Sequence, residues 1–231
     1  MDVSIIIPTY QRFQQVQESI NSALEQKNVK TEIIVIDDCS SDPQYKLLEG
    51  MYKNSNVKII HLPINMRRKY NVKAAQGKTR WEGIKIATGE WIAFLDDDDA
   101  WCNPLKLKEQ IDMMKKHGCL LSCSNMYSGN GPYSRNLNQK STYFPMTFSI
   151  GKEIEKNVYK FDRKCIEKVN YVNNSSCVIH KSIAEKVGEF KEGRYEDYDY
   201  WLRSLKFTDG LYIRKPYVYY DNYHGGCNHY S

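Results

Sequence analysis

Residues 89–101 read GEWIAFLDDDDAW. A turn glycine precedes the short apolar run 91–95, and consecutive aspartates follow it before Asn103-Pro104 opens what reads as a helix. The run has the length of a strand buried on both faces. Carboxylates crowded at the end of such a strand repel one another, so the arrangement calls for positive charge beside them. A divalent cation shared between one or two carboxylates and a substrate diphosphate meets that demand with hard oxygen ligands. The plain alternative is a solvated strand-to-helix loop in which Asp98 or Asp99 serves only a helix dipole.

Working outward, the same grammar of strand, loop and helix recurs. Residues 3–7, VSIII, form a β-branched run suited to a central strand, ended by Pro8-Thr9-Tyr10. Val16, Ile20, Ala23 and Leu24 fall at helical spacing within residues 13–26. A second strand over 32–36 closes at Asp37-Asp38, and a helix over 44–51 leads to a third strand at 57–61. Residues 77–88 read as a helix with Gly89 as its C-cap, feeding the acidic strand. A helix after Pro104 stops at Gly118, and 120–126 reads as a strand. This alternation is the mark of a mostly parallel sheet, in which ligands sit beyond the carboxyl ends of the strands. Pro8-Thr9-Tyr10, Asp37-Asp38 and the aspartates 96–99 are therefore expected to meet in one cleft.

The later half is less regular. Residues 127–140 read as a long surface loop, and 143–168 give no clear elements. A short strand at 178–179, a helix at 183–187 before Gly188, an acidic-headed helix over 192–205 and two late strands, 211–213 and 217–220, complete the reading.

A chain of 231 residues with 41% hydrophobic content supports one large core. Its apolar runs are far short of a bilayer span, and residues 1–7 lack a signal-peptide pattern, which gives the expectation of a cytoplasmic protein with peripheral attachment to a membrane left open. Seven cysteines lack zinc spacing and an even count. The net charge of +5 is spread among acids, so nucleic acid is not an expected partner. The densest basic stretch, Arg67, Arg68, Lys69, Lys73, Lys78 and Arg80, suits phosphates of any origin.

Taken together, PTY at 8–10, VIDDCS at 35–40, GEWIAFLDDDDAW, VGEF at 187–190, EDYDYWLR at 196–203 and YHGG at 223–226 resemble the inverting glycosyltransferases of family 2. The resemblance implies the GT-A fold, an α/β architecture with a single Rossmann-like, doubly wound, mostly parallel sheet flanked by helices. It implies one domain over 1–231, with a nucleotide-sugar half at 1–126 and an acceptor half with the catalytic base at 127–231. The QxxRW element and membrane helices of processive members are absent from the sequence, which implies transfer of one sugar per encounter.

The resemblance also distributes roles. Pro8, Thr9 and Tyr10 line the nucleotide pocket, and an aromatic at a strand end offers a flat surface to a base. Asp38, with Asp37, accepts a hydrogen bond from a pyrimidine imide, one of the two also being free to cap the turn. Arg80 pairs with a carboxylate or phosphate, with Arg67 and Arg68 as weaker candidates. The DxD element maps to Asp96, Asp97 and Asp98: Asp98 on Mn²⁺ or Mg²⁺, Asp97 on the ribose or a second contact, Asp96 holding Arg80. Identical neighbours leave this register open by one residue. Asp197 matches the base that deprotonates the acceptor hydroxyl, with Glu196 and Asp199 as alternatives. His224 matches a histidine near the metal or diphosphate, ahead of His229. The implied donor is a UDP-sugar, with UDP-glucose as first choice, and the implied acceptor a glycan, lipid-linked carrier or glycoprotein. Competing readings are a nucleotidyltransferase, which would need a Gly-rich phosphate loop after the first strand, and a catalytically silent sugar-binding protein of the same fold. Oligomeric state is not readable.

Overall fold

A computed structural model describes residues 2–72, 75–129, 141–143, 150–192 and 195–221. The chain begins with β1 (Val3–Thr9), α1 (Phe13–Leu24) and β2 (Thr31–Asp37). A 3-10 turn at Pro43–Leu47 runs into α2 (Leu48–Met51), followed by β3 (Val57–His61), α3 (Met66–Tyr70), α4 (Gln76–Ile86) and β4 (Trp91–Phe94). Then come β5 (Ala100–Trp101), α5 (Lys106–His117), β6 (Leu121–Gly129), β7 (Ser141–Tyr143), β8 (Lys152–Glu155), β9 (Val158–Phe161) and α6 (Arg163–Lys168). β10 (Val178–His180), α7 (Lys181–Val187), α8 (Glu196–Ser204) and β11 (Gly210–Asp221) close the described chain.

The strands lie in the order β3-β2-β1-β4-β10-β6-β11-β9-β8, with β5 on β11 and β7 on β6. β3, β2, β1 and β4 are mutually parallel, and β6 and β11 are parallel as well; β10 enters antiparallel between β4 and β6. Alternate residues of β1 face opposite layers. Ile5 and Ile7 join Val16 and Ile20 of α1 on one side, while Ile6 joins Ile84 of α4 on the other. Because β2 and β4 flank β1 and their helices cover opposite faces, the carboxyl ends of β1 and β4 form a topological switch point. Gly83 lets α4 close on the sheet: a Cβ there would sit 2.7 Å from Ile6 Cγ2. On the same face Phe190 stacks on Tyr200 of α8 at 3.9 Å, and Phe94 meets Trp201 edge-on.

Several expected boundaries move. α4 stops at Ile86, with Ala87 extended, so Gly89 is not its cap. Gly89 instead passes so close to β1 that a Cβ would lie 2.6 Å from the Ser4 nitrogen. The expected strands 211–213 and 217–220 are one strand whose register shifts around Pro216, as suits a residue with no N–H to give a ladder. The surface loop expected over 127–140 does not start at 127, since β6 continues to Gly129, and the rest of that stretch, 130–140, lies outside the described residues. The helix after Pro104 starts at Lys106 and ends, as expected, on Gly118 in the left-handed region at φ 64°. The stretch without clear pattern contains β8, β9 and α6.

Lys106 is a polar exception in the core. It is wholly buried, donating from Nζ to Gln110 Oε1 at 2.8 Å and lying 4.3 Å from the Trp101 ring centre. Burial pushes its ammonium down to about 7. The folded state therefore gives up a proton that the unfolded chain keeps up to about pH 10.4, so this residue's penalty is full below pH 7 and fades as pH rises. The stability of the wild type relative to Lys106→Met is expected to increase between pH 7 and pH 10. Parallel pH dependence of the two proteins in urea unfolding would contradict this.

Candidate active site

The loop after β1, the turn after β2 and the aspartates after β4 meet as the strand order requires. The Asp38 amide donates to Thr9 O at 2.9 Å, and the Tyr10 amide reaches Asp97 Oδ2 at 3.4 Å. Pro8 and Thr9 are buried at the end of β1. Thr9 Oγ1 shares a 2.8 Å hydrogen bond with the hydroxyl of buried Tyr45, which also accepts the Arg12 amide at 2.7 Å. Tyr45 thus fixes the loop that carries Tyr10.

Asp37 and Asp38 divide the work expected of them. Asp37 accepts the Ser40 amide at 3.0 Å and lies 2.8 Å from His61 Nδ1, so it caps the turn. Asp38 points to the start of α3, accepting the Met66 amide at 2.7 Å and Asn65 Nδ2 at 3.0 Å. Burial pushes its carboxyl up to about 7 against the Met66 hydrogen bond. Arg67 and Arg68 lie on α3 beside it.

Each aspartate of the quartet has its own surroundings. Asp96 Oδ1 accepts from Arg80 Nη2 at 2.5 Å. Asp97 Oδ1 and Asp98 Oδ2 both accept from Arg12 Nη1, at 2.9 and 2.7 Å. Asp99 is fully buried and accepts from Ser175 Oγ at 2.5 Å and from the Asp221 amide at 3.0 Å. Burial, and then the neighbouring charge of Asp97, pushes Asp98 up to about 7 in spite of Arg12. Burial also raises Asp97, against Arg12, and raises Asp99 further, with Asp98 adding to it.

α8 delivers the remaining acids. Glu196 Oε1 lies 3.3 Å from Arg80 Nη1, so one buried guanidinium bridges Asp96 and the first residue of the helix. Asp197, next along, is raised above the ordinary carboxylate range by burial, with Arg80 opposing. Asp199 has turned away: hydrogen bonds from Arg203 at 2.7 Å and Lys191 at 3.3 Å hold it low although burial opposes them. Its carboxylate is thus engaged by two cations away from Arg80. Tyr220 of β11 stands one residue from the Asp221 amide, and burial followed by Asp99, Asp96, Asp98 and Asp197 keeps its phenol protonated to high pH.

The donor set suits a hard cation that draws other ligands from a diphosphate, because the carboxylates of Asp97 and Asp98 share one edge of the cleft. Among the described residues no group of three or more His, Cys, Asp or Glu forms a self-contained metal site. His224 and His229 lie outside the described residues. The sequence reading missed Arg12, Tyr45, Asn65 and Ser175. Arg12 stands two positions after Tyr10 in the loop already singled out, and that was the one local signal for it; Ser175 is 76 residues from its Asp99 partner.

These surroundings separate Asp99, which anchors two segments, from Asp98, which faces Arg12 at the cleft. Asp99→Ala leaves the Asp221 amide without its partner and is expected to cost about 1–3 kcal/mol of stability. Asp98→Asn relieves like-charge crowding and is expected to change stability by less than about 1 kcal/mol. Chemical denaturation of both variants checks the contrast, and equal losses would contradict it.

With the geometry in view, comparison with known proteins is informative. The model of glycosyl transferase family 2 matches residues 4–188. A poly(ribitol-phosphate) beta-N-acetylglucosaminyltransferase, TarS of Staphylococcus aureus, is 32% identical over 133 residues, 57% of this chain and 22% of TarS. The Escherichia coli UDP-Glc:alpha-D-GlcNAc-diphosphoundecaprenol beta-1,3-glucosyltransferase WfgD is 40% identical over 116 residues, 50% of this chain and 42% of WfgD. Each match thus spans less than half of the relative. The crystal structure of S. aureus TarS 1-349 in complex with UDP-GlcNAc superposes with a TM-score of 0.72 at 23% identity, covering 98% of this chain and 60% of that one. The fold is therefore GT-A, and the chain belongs to glycosyl transferase family 2.

Proposed function

We propose that this chain catalyses metal-dependent, inverting transfer of a single sugar from a UDP-sugar to an acceptor hydroxyl. The observation that carries the reading is the Arg80 bridge, which ties Asp96 to Glu196 and so brings Asp197 of α8 to the same cleft as the quartet. Relatives named for UDP-glucose and for N-acetylglucosamine transfer support a UDP-linked hexose, with UDP-glucose the first to test. A lipid-linked or polymeric glycan is the acceptor class those names favour, and peripheral contact with a membrane fits it. No described helix is long and apolar enough to cross one.

In this reading Thr9 and Tyr10 border the base, and Asp38 accepts the imide N–H. Its two oxygens offer about four lone-pair sites, of which the Met66 amide, Asn65 and the Thr79 hydroxyl engage three. Asp98, with Asp97, holds Mn²⁺ or Mg²⁺, which when bound supplies charge stabilisation to the departing diphosphate. Among the described residues, the five acids Asp96, Asp97, Asp98, Glu196 and Asp197 gather around two arginines, Arg12 and Arg80, so negative charge outweighs these two cations. Asp197 takes the acceptor proton as the hydroxyl attacks opposite the leaving group, and no covalent sugar intermediate is needed. Arg80 holds Glu196 in an ion pair, which leaves Asp197 as the acid at the start of α8 for that task.

Asp197→Asn is expected to leave UDP affinity unchanged and to slow transfer by roughly 10²- to 10⁴-fold. The wild-type rate falls as pH drops through the raised value of this carboxyl, since the base works only ionised. Near-normal turnover in Asp197→Asn would move the role to Glu196.

The base assignment is tested by competition with UDP, TDP, CDP and GDP at fixed metal. An ionised Asp38 pairs with the imide of uracil or thymine and faces a lone pair on cytosine, a difference of about 1–3 kcal/mol. Asp38→Ala is expected to erase the preference for UDP and TDP over CDP. Tight CDP or GDP binding indifferent to that substitution would defeat the assignment.

A further inference from the structure

Arg12 stands on the ground that the reading above gives to a cation. One of its nitrogens, Nη1, spans two carboxylates, Asp97 Oδ1 at 2.9 Å and Asp98 Oδ2 at 2.7 Å. A guanidinium usually grips a carboxylate with two parallel N–H groups, and here one nitrogen is shared between two acids, as a compact cation would be. The backbone of Arg12 is secured separately, its amide donating to the Tyr45 hydroxyl at 2.7 Å. The side chain is also the more open member of the trio: 17% exposed, against 8% and 9% for its partners.

We infer that Arg12 is a built-in counter-ion for Asp97 and Asp98, displaced when a divalent cation and the donor diphosphate enter together. This rests on Asp98 being the metal ligand in the function proposed above. The physical reason is competition for lone pairs. A divalent cation needs its carboxylate oxygens at about 2.0–2.6 Å, directed at the metal, while Arg12 already holds an oxygen of each acid. The cation alone must break both contacts in a poorly solvated cleft, whereas with the diphosphate it brings further ligands and an anion able to receive the released guanidinium. The two sites are thereby coupled: metal binds weakly without nucleotide and tightly with it.

The test measures Mn²⁺ binding by calorimetry and electron paramagnetic resonance on wild type, Arg12→Met and Arg12→Lys, with and without UDP and with no sugar present. Arg12→Met is expected to bind Mn²⁺ alone at least tenfold more tightly than wild type, and UDP is expected to tighten Mn²⁺ binding by a smaller factor in it. Arg12→Lys keeps a point charge at the same place and is expected to stay near wild type. A role confined to shaping the loop would instead make both variants bind metal more weakly. Unchanged Mn²⁺ affinity in Arg12→Met, with UDP still tightening metal binding in every protein, would overturn the counter-ion role and leave the metal site intact. Absence of Mn²⁺ binding in all three proteins, with and without UDP, would overturn the metal reading along with it.

Discussion

The Arg80 guanidinium, buried between Asp96 and Glu196, is the contact on which the rest of the cleft depends. A charge so fully removed from water is tolerated only when paired on each side, and its two partners come from segments 100 residues apart, one after β4 and one at the head of α8. The pairing holds because α4 can approach the sheet closely. Gly83, three residues on and so on the same helical face, allows Ile6 into the space a side chain would fill. Helix packing on the sheet and placement of the acids are thus one problem. Moving α4 outward would part Asp96 from Glu196 and carry Asp197 away from the aspartates that follow β4.

Four identical side chains in a row do four different things because each meets a different element. Asp99 is turned inward and tied to Ser175 and the end of β11, which makes it a joint between the quartet and the late strands. Asp97 and Asp98 turn to the loop after β1, and Asp96 to α4. Much of the quartet's electrostatic burden is met by protein cations and N–H donors, so an acidic run at a strand end does not by itself demand a metal. The balance is least complete at Asp98, where burial and the charge of Asp97 push the carboxyl up to about 7 with Arg12 against them.

The sheet was legible because its central strands are buried on both faces and so are written as nearly continuous apolar runs, as at residues 3–7 and 91–95. The convergence of Thr9, Asp38 and the quartet was legible too, since it follows from strand order alone. The surroundings of individual site residues were not. Arg12 and Asp98 are 86 residues apart, and Glu196 and Arg80 are 116 apart, and no local pattern encodes such pairings. The division between Asp37 and Asp38 was equally hidden, depending on His61 from β3 and Asn65 before α3. The sequence shows two apolar runs where β11 is one strand, because Arg214, Lys215 and Pro216 interrupt the pattern while a register shift lets the strand continue past Pro216. β8 carries no apolar signature because it is an exposed edge strand, and β9, though mostly buried, is only four residues long and interrupted by Lys160.

The two arginines of the cleft differ in a way that organises it. Arg80 is fixed on a helix, almost without exposure, and joins two acids that the fold must hold together. Arg12 sits on a loop, reaches its acids with a single nitrogen and keeps an edge toward solvent. One cation is structural and the other stands where exchange is cheapest. Under the function proposed here, a cleft that admits a highly charged donor gains from that division, because α8 stays anchored through Arg80 while charge is rearranged at the opposite edge. The same acids arranged around two loop arginines would let nucleotide entry disturb the position of Asp197, and around two helical ones would leave the carboxylates of Asp97 and Asp98 permanently occupied.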